Sequence, residues 1–144
     1  TQGVSIMPLR EREITGVRHW NNLAAPTDFT ASLWDANSGA QVATGTSTIP
    51  AGVGYYVIDF AAAYTFTAND IGNEWRLTIF HNSGTAYPYT ASAGGFVPAT
   101  PFVAETCIQS DYNLFANGPA EAYPTLVAGG EFYMLEPVFT KVPG

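Results

Sequence analysis

Phe29-Thr30-Ala31-Ser32-Leu33-Trp34-Asp35 alternates residue by residue. In an extended chain successive side chains point to opposite faces, so Phe29, Ala31 and Leu33 share one face and Thr30, Ser32 and Trp34 the other. A helix would scatter the same apolar residues around its axis, so the stretch reads as a strand with one face on a core. Ala36-Asn37-Ser38-Gly39 follows with the residues of a tight turn, and Gln41 to Thr46 reads as the returning strand of a hairpin.

The same period recurs on both sides of Pro50-Ala51-Gly52 and beyond it. Tyr56, Ile58 and Phe60 share a face against Tyr55, Val57 and Asp59; Trp75, Leu77 and Ile79 do so against Arg76, Thr78 and Phe80. Upstream, Val4 to Leu9 and Ile14 to Trp20 read as strands around a polar turn at Arg10 to Glu13, and Asn21 to Asp28 as a loop. Thr67 to Gly72 has room for one helical turn, and His81-Asn82-Ser83-Gly84 turns the chain again. Periodicity weakens from Gly94 to Gly130, a packed excursion with short strands near Phe102 to Ile108, and Glu131 to Lys141 is the closing strand.

Ten Pro and fourteen Gly punctuate the chain at short intervals, and no stretch sustains helical spacing with caps. These features predict an all-β, antiparallel β-sandwich, jelly-roll-like, with residues 1–144 as one domain. Ala31, Leu33, Ile58, Phe60, Leu77 and Ile79 are its expected shared core.

Composition narrows the function. The chain is 47% hydrophobic and 14% aromatic, which excludes disorder for its bulk. Charged residues make up only 12%, about half the usual share. Twelve Asp and Glu stand against five Lys and Arg, and a net charge of −7 repels nucleic acid and anionic lipid. No apolar run approaches the ~20 residues of a membrane-spanning helix, so membrane insertion is not expected. The single cysteine, Cys107, has no intrachain disulfide partner. No signal peptide is visible, and the favoured expectation is an initiator Met trimmed before Thr1, with a cleaved signal as the alternative.

No catalytic or metal constellation emerges. His19 and His81 fall on separate strands, and zinc wants three or four ligands; the expectation is that one packs under a sheet and the other caps a turn. Ser83 and Ser92 lie in loops without a nucleophile-elbow pattern. Asp35, Asp59 and Glu136 are the carboxylates available for glycoside chemistry, and solvated strand edges are the simpler reading of Asp35 and Asp59. Asp35-Ala36-Asn37-Ser38 and Asn69-Asp70 offer oxygens to calcium, but turn-forming hydrogen bonds account for them. No cofactor, metal site or enzymatic activity is expected. Aromatics are the unusual resource: Trp34, Tyr55, Phe80, Tyr87, Tyr89 and Tyr112 fall on predicted outer faces or loops. They suit stacking on sugars or burial in a protein interface, unless a long loop folds over them.

The ordered elements also resemble a family. Ile14-Thr15-Gly16-Val17-Arg18-His19-Trp20 is followed by Ser32-Leu33-Trp34, then Val42-Ala43-Thr44, Gly54-Tyr55 with Ile58 and Phe60, and finally Tyr133-Met134-Leu135-Glu136-Pro137-Val138-Phe139-Thr140. This order resembles a bacterial β-sandwich family of unknown function. In that family an Ile-Thr-Gly-Val-Arg-aromatic strand opens the domain and a Tyr-Trp-Val-Asp-Pro-Val-Phe-Thr strand closes it; His19 departs from the aromatic position. The resemblance implies a binding or spacer unit, in a family found beside immunoglobulin-like and sugar-active modules of secreted proteins, with no assigned catalytic residues.

The functional expectation is a structural or interaction protein of a bacteriophage virion, a capsid decoration or tail or fibre component. It would assemble in the host cytoplasm, with other virion subunits as partners and a homo-oligomeric form. A free-standing domain with no visible signal, an unpaired cysteine and few charges motivates that reading. The Gly3 to Leu9 arm and the Gly94 to Gly130 loops are the expected contact segments. The alternatives are a secreted carbohydrate-binding or spacer module and a subunit of a bacterial surface filament.

Overall fold

The computed structural model describes residues 1–81, 90–91, 107–116, 120–128, 131–132 and 135–140. Eleven strands are found among them: β1 (Gln2–Pro8), β2 (Glu13–Leu23), β3 (Thr27–Asp35), β4 (Gln41–Ile49), β5 (Gly52–Thr65), β6 (Trp75–His81), β7 (Thr90–Ala91), β8 (Cys107–Phe115), β9 (Leu126–Ala128), β10 (Glu131–Phe132) and β11 (Leu135–Phe139). No helix occurs among the described residues.

Every pairing is antiparallel. One sheet of six strands runs β4-β3-β6-β1-β8-β9, one of three runs β11-β2-β5, and β10 pairs with β7. The six- and three-stranded sheets pack face to face as a β-sandwich.

The period-2 pattern accounts for the core. In β3 the face carrying Phe29, Ala31 and Leu33 is buried, and the register places Ala31 opposite Ile79 and Leu33 opposite Leu77 in β6. Val4 and Ile6 of β1 extend that face, and Val17, Ile58, Phe60, Leu135 and Phe139 meet it from the smaller sheet. All six expected core residues lie in this cluster. One end is sealed by aromatics: Phe66 stands 5.3 Å from Trp75 and 5.5 Å from Tyr64, ring centre to ring centre, and 6.5 Å from Phe139. Edge-on and tilted geometries of this kind add stabilisation beyond the buried area.

The predicted turns have visible causes. Asp35 Oδ1 accepts a hydrogen bond from the Asn37 amide at 2.8 Å, and Gly39 takes a φ of 74° that costs a glycine little. Asp70 Oδ2 accepts from the Thr67 amide at 2.9 Å and from the Thr67 hydroxyl, which fixes the Thr67–Gly72 turn.

Four expectations need correction. The strand expected from Val4 to Leu9 is present as Gln2–Pro8, but it is no contact arm: it lies centrally between β6 and β8, almost wholly buried. The Asn21–Asp28 loop shrinks because β2 runs on to Leu23, where Asn21 and Asn22 pair with Gly54 and Val53. Cross-strand pairing there overrides the poor strand propensity of asparagine. β5 is also longer than Tyr55–Phe60. A register shift opposite Thr15 lets Phe60 to Ala63 bulge and keeps the strand going to Thr65. Finally, His81 does not cap a turn. It ends β6 with its ring buried edge-on to Phe29 at 4.6 Å, while His19 lies under the smaller sheet as expected.

Candidate interaction surface

The sandwich has two outer faces, and they differ. On the larger sheet, Thr30, Ser32 and Trp34 of β3 point outward beside Phe80, Thr78 and Arg76 of β6. A segment at 120–125 lies across them. Glu121 accepts from Ser32 Oγ at 2.7 Å and from Gln41 Nε2 at 2.6 Å. Tyr123 meets Trp34 edge-on at 6.0 Å and lies 4.7 Å from the Arg76 guanidinium, which donates to the Pro124 carbonyl. Burial raises the Tyr123 phenol's pKa, and the Arg76 charge opposes that rise. Under this strap Ser32 and Thr78 are fully buried, and Trp34, 8% exposed, donates its indole N–H to Thr78 Oγ1 at 2.9 Å. Beyond the strap, a hydroxyl ladder continues along β3 and β4, with Thr30 bonded to Thr46 at 2.8 Å and Thr48 to Asp28.

On the smaller sheet, the described residues place no such segment over the strip that β2 and β5 form. Arg18, Trp20 and Asn22 alternate with the buried Val17, His19 and Asn21, and the register sets them opposite Val57, Tyr55 and Val53 of β5. Cross-strand partners share a face, so these six side chains form one outward strip, with Glu136 and Val138 of β11 along its other side. Val53 is 66% exposed, Tyr55 49% and Val57 45%, while Trp20 is half-buried. No other described strand lies over them. The Arg18 guanidinium stacks over the Tyr55 ring at 4.1 Å and pairs with Glu136. That contact fixes the tyrosine and neutralises the one buried carboxylate of the strip. Asp59 continues the strip, exposed, opposite Gly16.

The six aromatic candidates therefore separate. Tyr55 is exposed on the open strip. Trp34 is covered, and Phe80 sits half-buried on the strapped face opposite Thr30. Tyr112 falls within β8, and Tyr87 and Tyr89 lie outside the described residues. Trp20 was overlooked. The signal was present, because Arg18 sets the outward phase of β2 and Trp20 follows two residues later.

The carboxylates do not converge. Asp35 is engaged in its turn, Asp59 faces solvent, and Glu136 is tied to Arg18. No group of three or more His, Cys, Asp or Glu side chains suited to a metal occurs among the described residues. At the inner end of the strip the interior is polar: Gln2 Nε2 lies 3.4 Å from His19 Nε2, and the His19 ring is 6.1 Å from Phe29. Asn21, fully buried beside them, has neither amide atom hydrogen-bonded.

No family model, curated protein or solved structure matches the chain.

Proposed function

We propose that this is a non-enzymatic structural or interaction protein, a virion component of the decoration or tail type, that works by presenting the outer face of β11-β2-β5 to a partner. The observation that carries the reading is that face itself. Val53, Tyr55, Val57 and Trp20 form a contiguous, largely apolar strip on one sheet face, with Val53, Tyr55 and Val57 exposed. Aromatics with a stacked arginine are the residue types that dominate binding energies at interfaces. The opposite face is closed by the chain's own 120–125 segment, so the surface on offer is one-sided.

The virion setting rests on composition. Few charges and eight Tyr suit a surface that meets other subunits, and an oligomeric native form is expected. Sedimentation of the untagged protein at micromolar concentration, with assays on ester, peptide and glycoside substrates, tests the reading. An oligomer without turnover supports it. Turnover that Asp35→Asn or Asp59→Asn abolishes would overturn it.

A further inference from the structure

We infer that two copies of this chain pack face to face through the β11-β2-β5 sheet, related by a two-fold axis that crosses β5 near Ile58. The inference rests on the preceding reading of this face as the working surface and names its partner.

The face has a high end and a low end. Trp20 and Tyr55 stand opposite each other across the strands, and the Arg18 guanidinium lies over the Tyr55 ring, so the three form a transverse ridge. Farther along the strip the side chains shrink. Gly16 has none, and the bulge of β5 presents Ala61, Ala62 and Ala63, all exposed, before pairing with β2 resumes at Tyr64 and Thr65. Tyr55 and Ala61 lie three residues to either side of Ile58, about 10 Å in each direction. A two-fold contact needs a surface that is complementary to itself. Turning a second copy by half a revolution, about an axis in the plane of the sheet and across the strands at Ile58, lays each ridge in the other copy's trough. Tyr55 then faces Ala61 of the second copy, and β5 runs antiparallel to its counterpart.

Charge agrees with the same register. Val57, opposite Arg18 on the neighbouring strand, comes to face Asp59 of the second copy. That carboxylate therefore stands one strand spacing, about 5 Å, from Arg18. Arg18 already pairs with Glu136, and a guanidinium has donors enough for a second carboxylate. The two Asp59 side chains, offset by two residues, avoid each other, and each exposed carboxylate gains a cation. Charge matched in this way fixes the register of a contact more than it adds to affinity.

The area suffices for a weak dimer. β2 spans eleven residues, Glu13–Leu23, and β5 pairs with it from Gly52 to Thr65. That is about 35 Å of strand, and three strands are about 14 Å across where β11 adds to the width, a footprint of roughly 400–500 Å². Counted over both copies and with the relief of the side chains, the contact buries on the order of 1,000 Å², the lower limit of a specific interface.

Sedimentation velocity of the untagged protein from about 1 to 200 µM is expected to show a monomer–dimer equilibrium. Ala61→Trp fills the trough and Tyr55→Ala lowers the ridge. Each alone should weaken the dimer by roughly 10-fold or more, with thermal melts confirming that both variants fold. Mixed one to one, the two variants should associate again, to within roughly 3-fold of the wild type. In the mixed dimer one ridge still meets a native trough, and the introduced tryptophan meets the room that Tyr55 has left. A merely structural role for either residue would not produce that rescue. Asp59→Arg should weaken the dimer as well, by setting two cations side by side. If Tyr55→Asp abolishes the equilibrium but the mixture does not restore it, the inferred register is overturned and the proposed function stands. A dimer indifferent to every one of these variants places the contact elsewhere and overturns both readings of the strip. A wild type that stays monomeric at the highest concentration overturns the inference together with the expected oligomer.

Discussion

Replacing Gly45 by alanine would put a methyl group where β5 already has backbone. A Cβ built there lies 2.1 Å from the Asp59 carbonyl oxygen and 2.8 Å from both the Ala61 nitrogen and the Phe60 Cα. Ordinary contact begins at 3.4 Å, so the strands would have to part by more than 1 Å. None of the obstructing atoms belongs to a side chain that can rotate away. Gly45 lies where β4, an edge of the larger sheet, crosses β5, an edge of the smaller one, and this crossing closes one side of the sandwich. Overpacking of well-packed sites costs about 1–3 kcal/mol, and a main-chain obstruction belongs in the upper half of that range. For a chain of this length that is about 5–10 °C in melting temperature. Far-UV circular dichroism melts of Gly45→Ala against the wild type measure it. Gly39→Ala serves as the comparison, since open space surrounds its Cβ and only its positive φ resists, at about 1 kcal/mol. A Gly45→Ala protein that melts within a degree or two of the wild type would refute the close crossing and the closure argued from it.

Three further outcomes are expected. Leu33→Ala, emptying a fully buried site between Leu77 and Ala43, should cost about 2–5 kcal/mol in urea unfolding; a smaller loss would place Leu33 outside the core. Burial lowers the His81 pKa below its ordinary value of 6.5, so below that pH the unfolded chain binds the proton that the folded chain refuses. Stability should therefore be complete above pH 6.5 and decline as pH falls from there toward the folded pKa, and His81→Gln should flatten that part of a melting profile. Arg18→Ala removes the cation from the buried Glu136 and the guanidinium from the Tyr55 ring, and should destabilise by about 1–3 kcal/mol, with Glu136→Gln in the same background recovering part of the loss.

The fold was legible wherever apolar and polar residues alternate along a strand. Phe29–Asp35, Tyr55–Phe60 and Trp75–Phe80 each expose their period, and every core residue read from them is buried. Legibility failed where the residues do not alternate or the pairing is non-local. Val4 to Leu9 reads as a strand and is one, but without alternation nothing local showed that β1 lies buried between two strands and not at a contact surface. β2 extends through Asn21-Asn22 because β5 is there to pair with it, a fact that no local propensity encodes. Gly45 did carry a signal, since glycine in a strand interior often marks a close backbone approach. Its reading needed the partner strand.

The interaction surface shows the same limit more sharply. Alternation establishes that Trp34 and Tyr55 both face away from the core, and it says nothing about which outer face stays open. That is decided some ninety residues downstream of Trp34, where Glu121, Tyr123 and Pro124 cross the larger sheet and find Ser32, Gln41, Trp34 and Arg76. The covered face carries hydroxyls and an indole N–H that bond laterally within the sheet and upward to the strap. The open face carries valines, whose side chains have no such bonds to give, and its one strong pair, Arg18 with Glu136, is satisfied within the sheet. A strap laid over Val53, Tyr55 and Val57 would find mainly apolar side chains there, with polar groups only at the ends and side of the strip. The polarity of each outer face thus accounts for which one the 120–125 segment covers, and Trp20 with Tyr55 falls on the other among the described residues.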